Sequence, residues 1–108
     1  MASGVNECHL DVSIVVGAGD AYEPTLGTEL AARTISLWPG GRVVLDFARV
    51  RIVSSAFANA FFIALAREKA LDQLRDVVDF RNLRPRVAQV WRRSFEAVRT
   101  TESRESTS

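Results

Sequence analysis

Val43-Val44-Leu45-Asp46-Phe47-Ala48-Arg49-Val50-Arg51-Ile52-Val53-Ser54-Ser55-Ala56-Phe57-Ala58-Asn59-Ala60-Phe61-Phe62 is the stretch whose reading decides the fold of this chain. Residues Arg42 to Phe47 form a nearly continuous apolar run, the pattern of a strand covered on both faces of a sheet. Val50-Arg51-Ile52-Val53 follows, either as an extension of that strand or as a separate one. Ser54-Ser55 then begins a helix through about Glu68, in which Phe57, Phe61, Ala64, Leu65 and Glu68 keep the 3, 4, 7 spacing of one helical side. Phe62, Ile63 and Ala66 widen the apolar arc beyond what one core face requires. A strand running through a loop into an apolar helix is the repeating unit of an α/β fold.

The flanking sequence continues the alternation. Ser13-Ile14-Val15-Val16 predicts a short β-branched strand, closed by the loop Gly17-Ala18-Gly19-Asp20. Pro24 suits the first position of a helix that carries Leu26, Leu30, Ile35, Leu37 and Trp38, with Glu29 and Arg33 paired one turn apart. Pro39-Gly40-Gly41 stops it. Downstream, Asp76-Val77-Val78-Asp79-Phe80 alternates as an edge strand would. Pro85 opens a last helix with a buried stripe of Val87, Val90, Trp91, Phe95 and Val98. From Thr100 the residues are Thr, Ser, Glu and Arg only, which predicts disorder. The expected fold class is α/β: a small sheet, mostly parallel or else mixed, with about three packed helices. The expected organisation is an N-terminal extension over 1–10, a single domain over 11–99 and a disordered tail over 100–108.

Composition agrees with one small globular domain. The chain has 108 residues, 47% hydrophobic and 25% charged, with a formal net charge of +1. Those values exclude collagen-like, wholly disordered and two-domain readings. Cys8 stands alone, so no disulfide forms within the chain and a reducing compartment fits. Met1 to Val5 lacks the basic start and apolar run of a signal peptide. The longest apolar stretch, Ala56 to Ala66, is eleven residues broken by Asn59, whereas a spanning helix needs about 20. A cytoplasmic location is the expectation. The charge is uneven: residues 1–80 carry seven basic and ten acidic groups, and residues 81–108 carry seven and three.

Little in the chain supports catalysis. Cys8 and His9 are adjacent and no second Cys or His exists, so a zinc site within one chain is excluded. His9 is the sole candidate base and precedes the first expected strand. Gly17-Ala18-Gly19 starts like a dinucleotide-binding turn, but Tyr22 stands at the third glycine position. Asp46 near a strand end suggests a phosphoacceptor aspartate, yet Val15-Val16 stands where that site needs acids. The expectation is a protein that is not an enzyme and uses no cofactor or metal.

The stretch from Val43 to Phe62 resembles the central strand, loop and helix of STAS domains, the fold of bacterial anti-sigma factor antagonists and of the cytoplasmic part of sulphate transporters. It is closer still to the STAS-like family of unknown function. There a strand ending Asp-Phe, here Asp46-Phe47, leads through a short apolar segment to a Ser and a Phe that open a helix. In the antagonists that helix begins Asp-Ser-Ser-Gly or Asp-Ser-Thr-Gly, and a partner kinase phosphorylates the first hydroxyl residue. Matched to that pattern, Ser54 takes the Asp position and Ser55 the phosphoacceptor position. Ala56 and Phe57 replace the second hydroxyl and the Gly. Asn59 and Ala60 stand where STAS-like members often carry an acid.

The resemblance implies a non-catalytic bacterial signal-transduction module that works by partner switching. Its implied partner is a histidine-kinase-like ATPase or serine kinase, or that kinase's target. Ser55 and Ser54 are the phosphoacceptor candidates. The implied docking surface comprises Ser54, Ser55, Ala58, Asn59 and Phe62. Elementary chemistry adds that free N–H groups at a helix start favour a phosphate. It also makes Ser54 a good cap for the amide of Ala56 or Phe57, worth about 1 kcal/mol. Phe62 and Ile63 need cover from neighbouring helices, or else form an exposed patch. Two alternatives from other classes remain. Arg86, Gln89 and Arg93 make a basic stripe suited to nucleic-acid phosphates, although Glu96 interrupts it and no reading motif accompanies it. A small ligand or nucleotide could sit at the strand ends near Gly17 to Asp20 and Asp46.

Overall fold

The computed structural model describes residues 7–17, 19–38, 41–68 and 71–107. Ala18, Pro39, Gly40 and the first six residues, on which parts of the expected loops and extension fall, lie outside them. The order is β1 (Glu7–Asp11), α1 (Val12–Val16), β2 (Asp20–Ala21), α2 (Pro24–Leu37), β3 (Arg42–Asp46), β4 (Ile52–Val53), α3 (Ser55–Glu68), a 3-10 turn (Leu71–Gln73), α4 (Leu74–Val77), β5 (Val78–Arg81) and α5 (Pro85–Thr107). Strands β1, β3 and β5 form a three-stranded sheet in that order, and β2 and β4 a separate two-stranded one; every pairing is parallel. The fold is α/β, as expected.

β3 is the central strand. Val43, Val44 and Leu45 are each at most 1% exposed, which explains the apolar run with no alternation. Cys8, Leu10, Val78 and Phe80 share the face of Val43 and Leu45 by register. The opposite face carries Glu7, His9, Asp79 and Arg81, joined by His9–Glu7 (3.3 Å), Arg81–Glu7 (3.6 Å) and Arg81–Asp79 (2.8 Å) pairs.

The first strand is the clearest correction. It lies at Glu7–Asp11, inside the segment expected to be an extension, and Ser13–Val16 is helical instead. Asp11 caps that helix, its Oδ1 accepting from the Ser13 amide (3.0 Å) and hydroxyl (2.7 Å). Gly17 closes it at φ +83°, where glycine avoids the strain of a side chain. The two caps outweigh the strand preference of a β-branched run that buries only Val12. At the other end α5 runs through Thr107, past Thr100, where disorder was expected.

α2 starts with Pro24 at its first turn, as read, and keeps the Glu29–Arg33 pair at 3.1 Å. It buries Gly27, Leu30, Ala31 and Thr34 and lies close against α3. A Cβ on Gly27 would meet the Phe57 carbonyl oxygen. α3 buries Phe57, Ala58, Phe61, Phe62 and Leu65, because it packs against α2 on one side and α5 on the other. Its wide apolar arc is therefore covered, apart from Ile63 at 44% exposure. Trp91 of α5 sits at the centre of the core, its ring centroid 4.9 Å from each of Phe47, Phe61 and Phe62.

Candidate functional site

β2 and β4 follow β1 and β3 in the chain, and their pair positions the start of α3. Arg51 N–H donates to the Gly19 carbonyl at 2.7 Å, and Ser54 N–H donates to the Ala21 carbonyl at 2.8 Å. Outside the ladder, Arg51 pairs with Asp20 at 3.2 Å. The expected alternative of a separate short strand at Ile52–Val53 is therefore the one adopted.

The two serines do different work. The Ser54 hydroxyl donates to the Tyr22 carbonyl (2.9 Å) and accepts from the Phe57 amide (3.0 Å). It is a helix cap and a tie to the loop after β2, with both roles of its oxygen engaged. Ser55, the first residue of α3, is exposed. Its hydroxyl makes no hydrogen bond among the described residues and faces solvent beside free helical N–H groups. Serine and aspartate are comparable caps. Phe57 is fully buried, with its ring 6.2 Å from that of Trp91.

The expected docking surface needs correction. Ala58 and Phe62 are fully buried, so neither is open to a partner. Phe62 packs among the rings of Trp91, Phe61 and Phe95 at 4.9 to 5.5 Å. Asn59 is half-buried, its Oδ1 taking a hydrogen bond from Ser94 of α5. Of the five residues named, Ser55 alone is exposed. What the sequence reading missed is Tyr22, at 51% exposure, and Ile52, at 47%. Ile52 lies on β4, three residues before Ser55, and the Ser54 bond to the Tyr22 carbonyl brings the Tyr22 backbone to the same helix start. Ile14 on α1, at 71%, is a third apolar side chain that stands in solvent. The signal in the sequence was the single tyrosine of the chain, placed in a loop rather than on a helical stripe.

The remaining candidates have settled places. Arg86 and Arg93 are exposed on α5 and make no ion pair among the described residues, while Glu96 beside them is engaged by Arg99 at 2.7 Å. Asp46 braces the end of β3: Oδ1 accepts from the Ala48 amide and from the Asn82 side chain, each at 2.9 Å. These bonds, the Asn82 one foremost, hold its carboxyl below its ordinary pKa. Gly17 N–H donates to the Ser13 carbonyl and the Gly19 carbonyl accepts from Arg51, so this loop spends its backbone groups on the fold. No group of three or more His, Cys, Asp or Glu among the described residues could hold a metal ion. No helix there is long and apolar enough to cross a membrane.

Comparison with known proteins agrees with this architecture at the level of family. No curated protein and no solved structure matches the chain. A family model described as a STAS-like domain of unknown function (DUF4325) matches residues 29–88. That span runs from α2 through β3, β4, α3 and β5 into the first turn of α5, and includes the Ser54–Ser55 corner. With the parallel β3–β5 pair and the serine-capped apolar helix between them inside the matched span, the chain belongs to the STAS-like domain family.

Proposed function

We propose that this protein is a non-catalytic regulatory module that docks a protein partner at the Ser55 corner, with phosphorylation of Ser55 as the switch. The observation that carries the reading is an exposed, unengaged Ser55 at a helix start, tied through the Ser54–Tyr22 bond and the β2–β4 pair to a segment that carries the exposed Tyr22 and Ile52. Exposed large apolar side chains that gather into a patch mark interaction surfaces. A phosphate there adds roughly −1.5 to −2 charges beside that apolar surface, which changes what can dock. The partner class the reading favours is a histidine-kinase-like ATPase or serine kinase, or the protein that such a kinase releases.

The test has two arms. Incubation with native lysate and ATP, followed by intact mass, is expected to add ~80 Da to the wild type and nothing to Ser55→Ala. A partner retained by the wild type is expected to be lost from Tyr22→Asp and Ile52→Asp, and kept by the Arg86→Gln/Arg93→Gln double variant. An adduct that persists in Ser55→Ala defeats the switch. Retention by both aspartate variants defeats the docking surface.

A further inference from the structure

The Ser55 corner leaves unexplained a cleft of about 390 Å³ elsewhere in the fold, bounded by α4, β5 and the middle of α5. Its walls are mostly apolar, with Phe62, Leu74, Phe80 and Phe95 around the Trp91 ring. That volume lies in the range of small-molecule sites, which combine apolar walls with a few polar groups. The polar groups here are mainly cationic. Arg42 and Arg92 both line the cleft and make no ion pair among the described residues. The one acidic lining residue, Asp79, is already held by Arg81 at 2.8 Å.

The Trp91 ring forms the floor of the cleft and is itself largely buried. Trp91 is 4% exposed and its Nε1 is buried with no hydrogen-bond partner. Arg42 and Arg92 are the cationic groups that a carboxylate in the cleft would face.

We infer that the cleft binds a small organic anion, a carboxylate carried on a flat apolar body. The apolar body packs on the Trp91, Phe62 and Phe95 rings, and the carboxylate lies toward Arg92 and Arg42. This site is separate from the Ser55 corner and stands whether or not that serine is modified.

1-Naphthylacetate and its neutral isostere 1-naphthylacetamide, titrated into the full ¹⁵N-labelled chain, test it. The chain has two tryptophans, so Trp38→Phe assigns the Trp91 indole N–H signal. The expected result is a saturable shift of that signal by the carboxylate, with affinity about ten-fold weaker for the amide. Arg42→Gln/Arg92→Gln should weaken the carboxylate by a similar factor, and Ala88→Leu, which fills the cleft from α5, should abolish binding. Dispersion of the amide spectrum checks the fold of each variant, and the arginine pair serves should Ala88→Leu fail to fold. No saturable shift up to about 1 mM overturns the inference. Equal binding of acid and amide, or undiminished binding in the arginine variant, overturns it as well.

Discussion

At the scale of single residues, adjacent serines of the same type have opposite chemical standing. Ser54 gives its proton to the Tyr22 carbonyl and its lone pair to the Phe57 amide, so a phosphate on it would break both bonds. Ser55 has neither constraint. Ser54→Ala is expected to cost about 1–2 kcal/mol of unfolding free energy in urea, and Ser55→Ala to stay within about 0.5 kcal/mol of wild type. Sequence alone named both serines and assigned the cap to Ser54. It could not show that the Tyr22 carbonyl would take the hydroxyl proton, because that contact joins positions 32 apart.

Asp46 supplies a pH dependence with a definite sign. Its carboxyl is held low by Asn82 and the Ala48 amide, so the folded state favours the ionised form. That contribution is whole above the ordinary aspartate value of about 4 and fades as pH falls through the lower folded value. Asp46→Asn is expected to flatten the acid limb of stability, measured by urea unfolding between about pH 5 and pH 2, and to lower stability near neutrality.

At the scale of elements, the decisive fact is how closely α2 and α3 approach. Gly27 lies against the Phe57 carbonyl and 3.2 Å from the Ala60 methyl by its would-be Cβ. Gly27→Ala, which helps an isolated helix, is expected to destabilise this protein by about 1–3 kcal/mol through overpacking, read as a drop in Tm. The α3 arc was legible as too wide for one partner, but which residues it exposed was not. Helical spacing sorts residues by angle around the axis, and it is the placement of α2 and α5 that decides which angles are covered. Phe62, expected at a docking surface, faces Trp91 and Phe95; Ile63, its neighbour, remains open.

At the scale of the whole molecule, one aromatic cluster joins the sheet to α3 and α5. Trp91 contacts Phe47 of the loop after β3, Phe61 and Phe62 of α3, and Phe80 of β5. Phe62→Ala is expected to cost about 3–5 kcal/mol, a large part of what a domain of this size has, with near-ultraviolet circular dichroism and urea unfolding as the readouts. The uneven charge also takes shape at this scale. Arg42, distant in sequence from the basic C-terminal quarter, joins Arg92 at the α4–β5–α5 cleft.

The sequence by itself determined the α/β class, the central strand at β3, the serine-capped start of α3 and the buried stripe of α5. Each rests on an apolar run, a periodicity or a cap, which are local properties of neighbouring residues. Only the tertiary structure decided the rest. It moved the first strand to Glu7–Asp11, where Asp11 and Gly17 turned the β-branched run into a short helix. It buried Ala58 and Phe62 and left Tyr22 and Ile52 in solvent. Burial depends on which elements meet across long stretches of chain, and no window of adjacent residues contains that information.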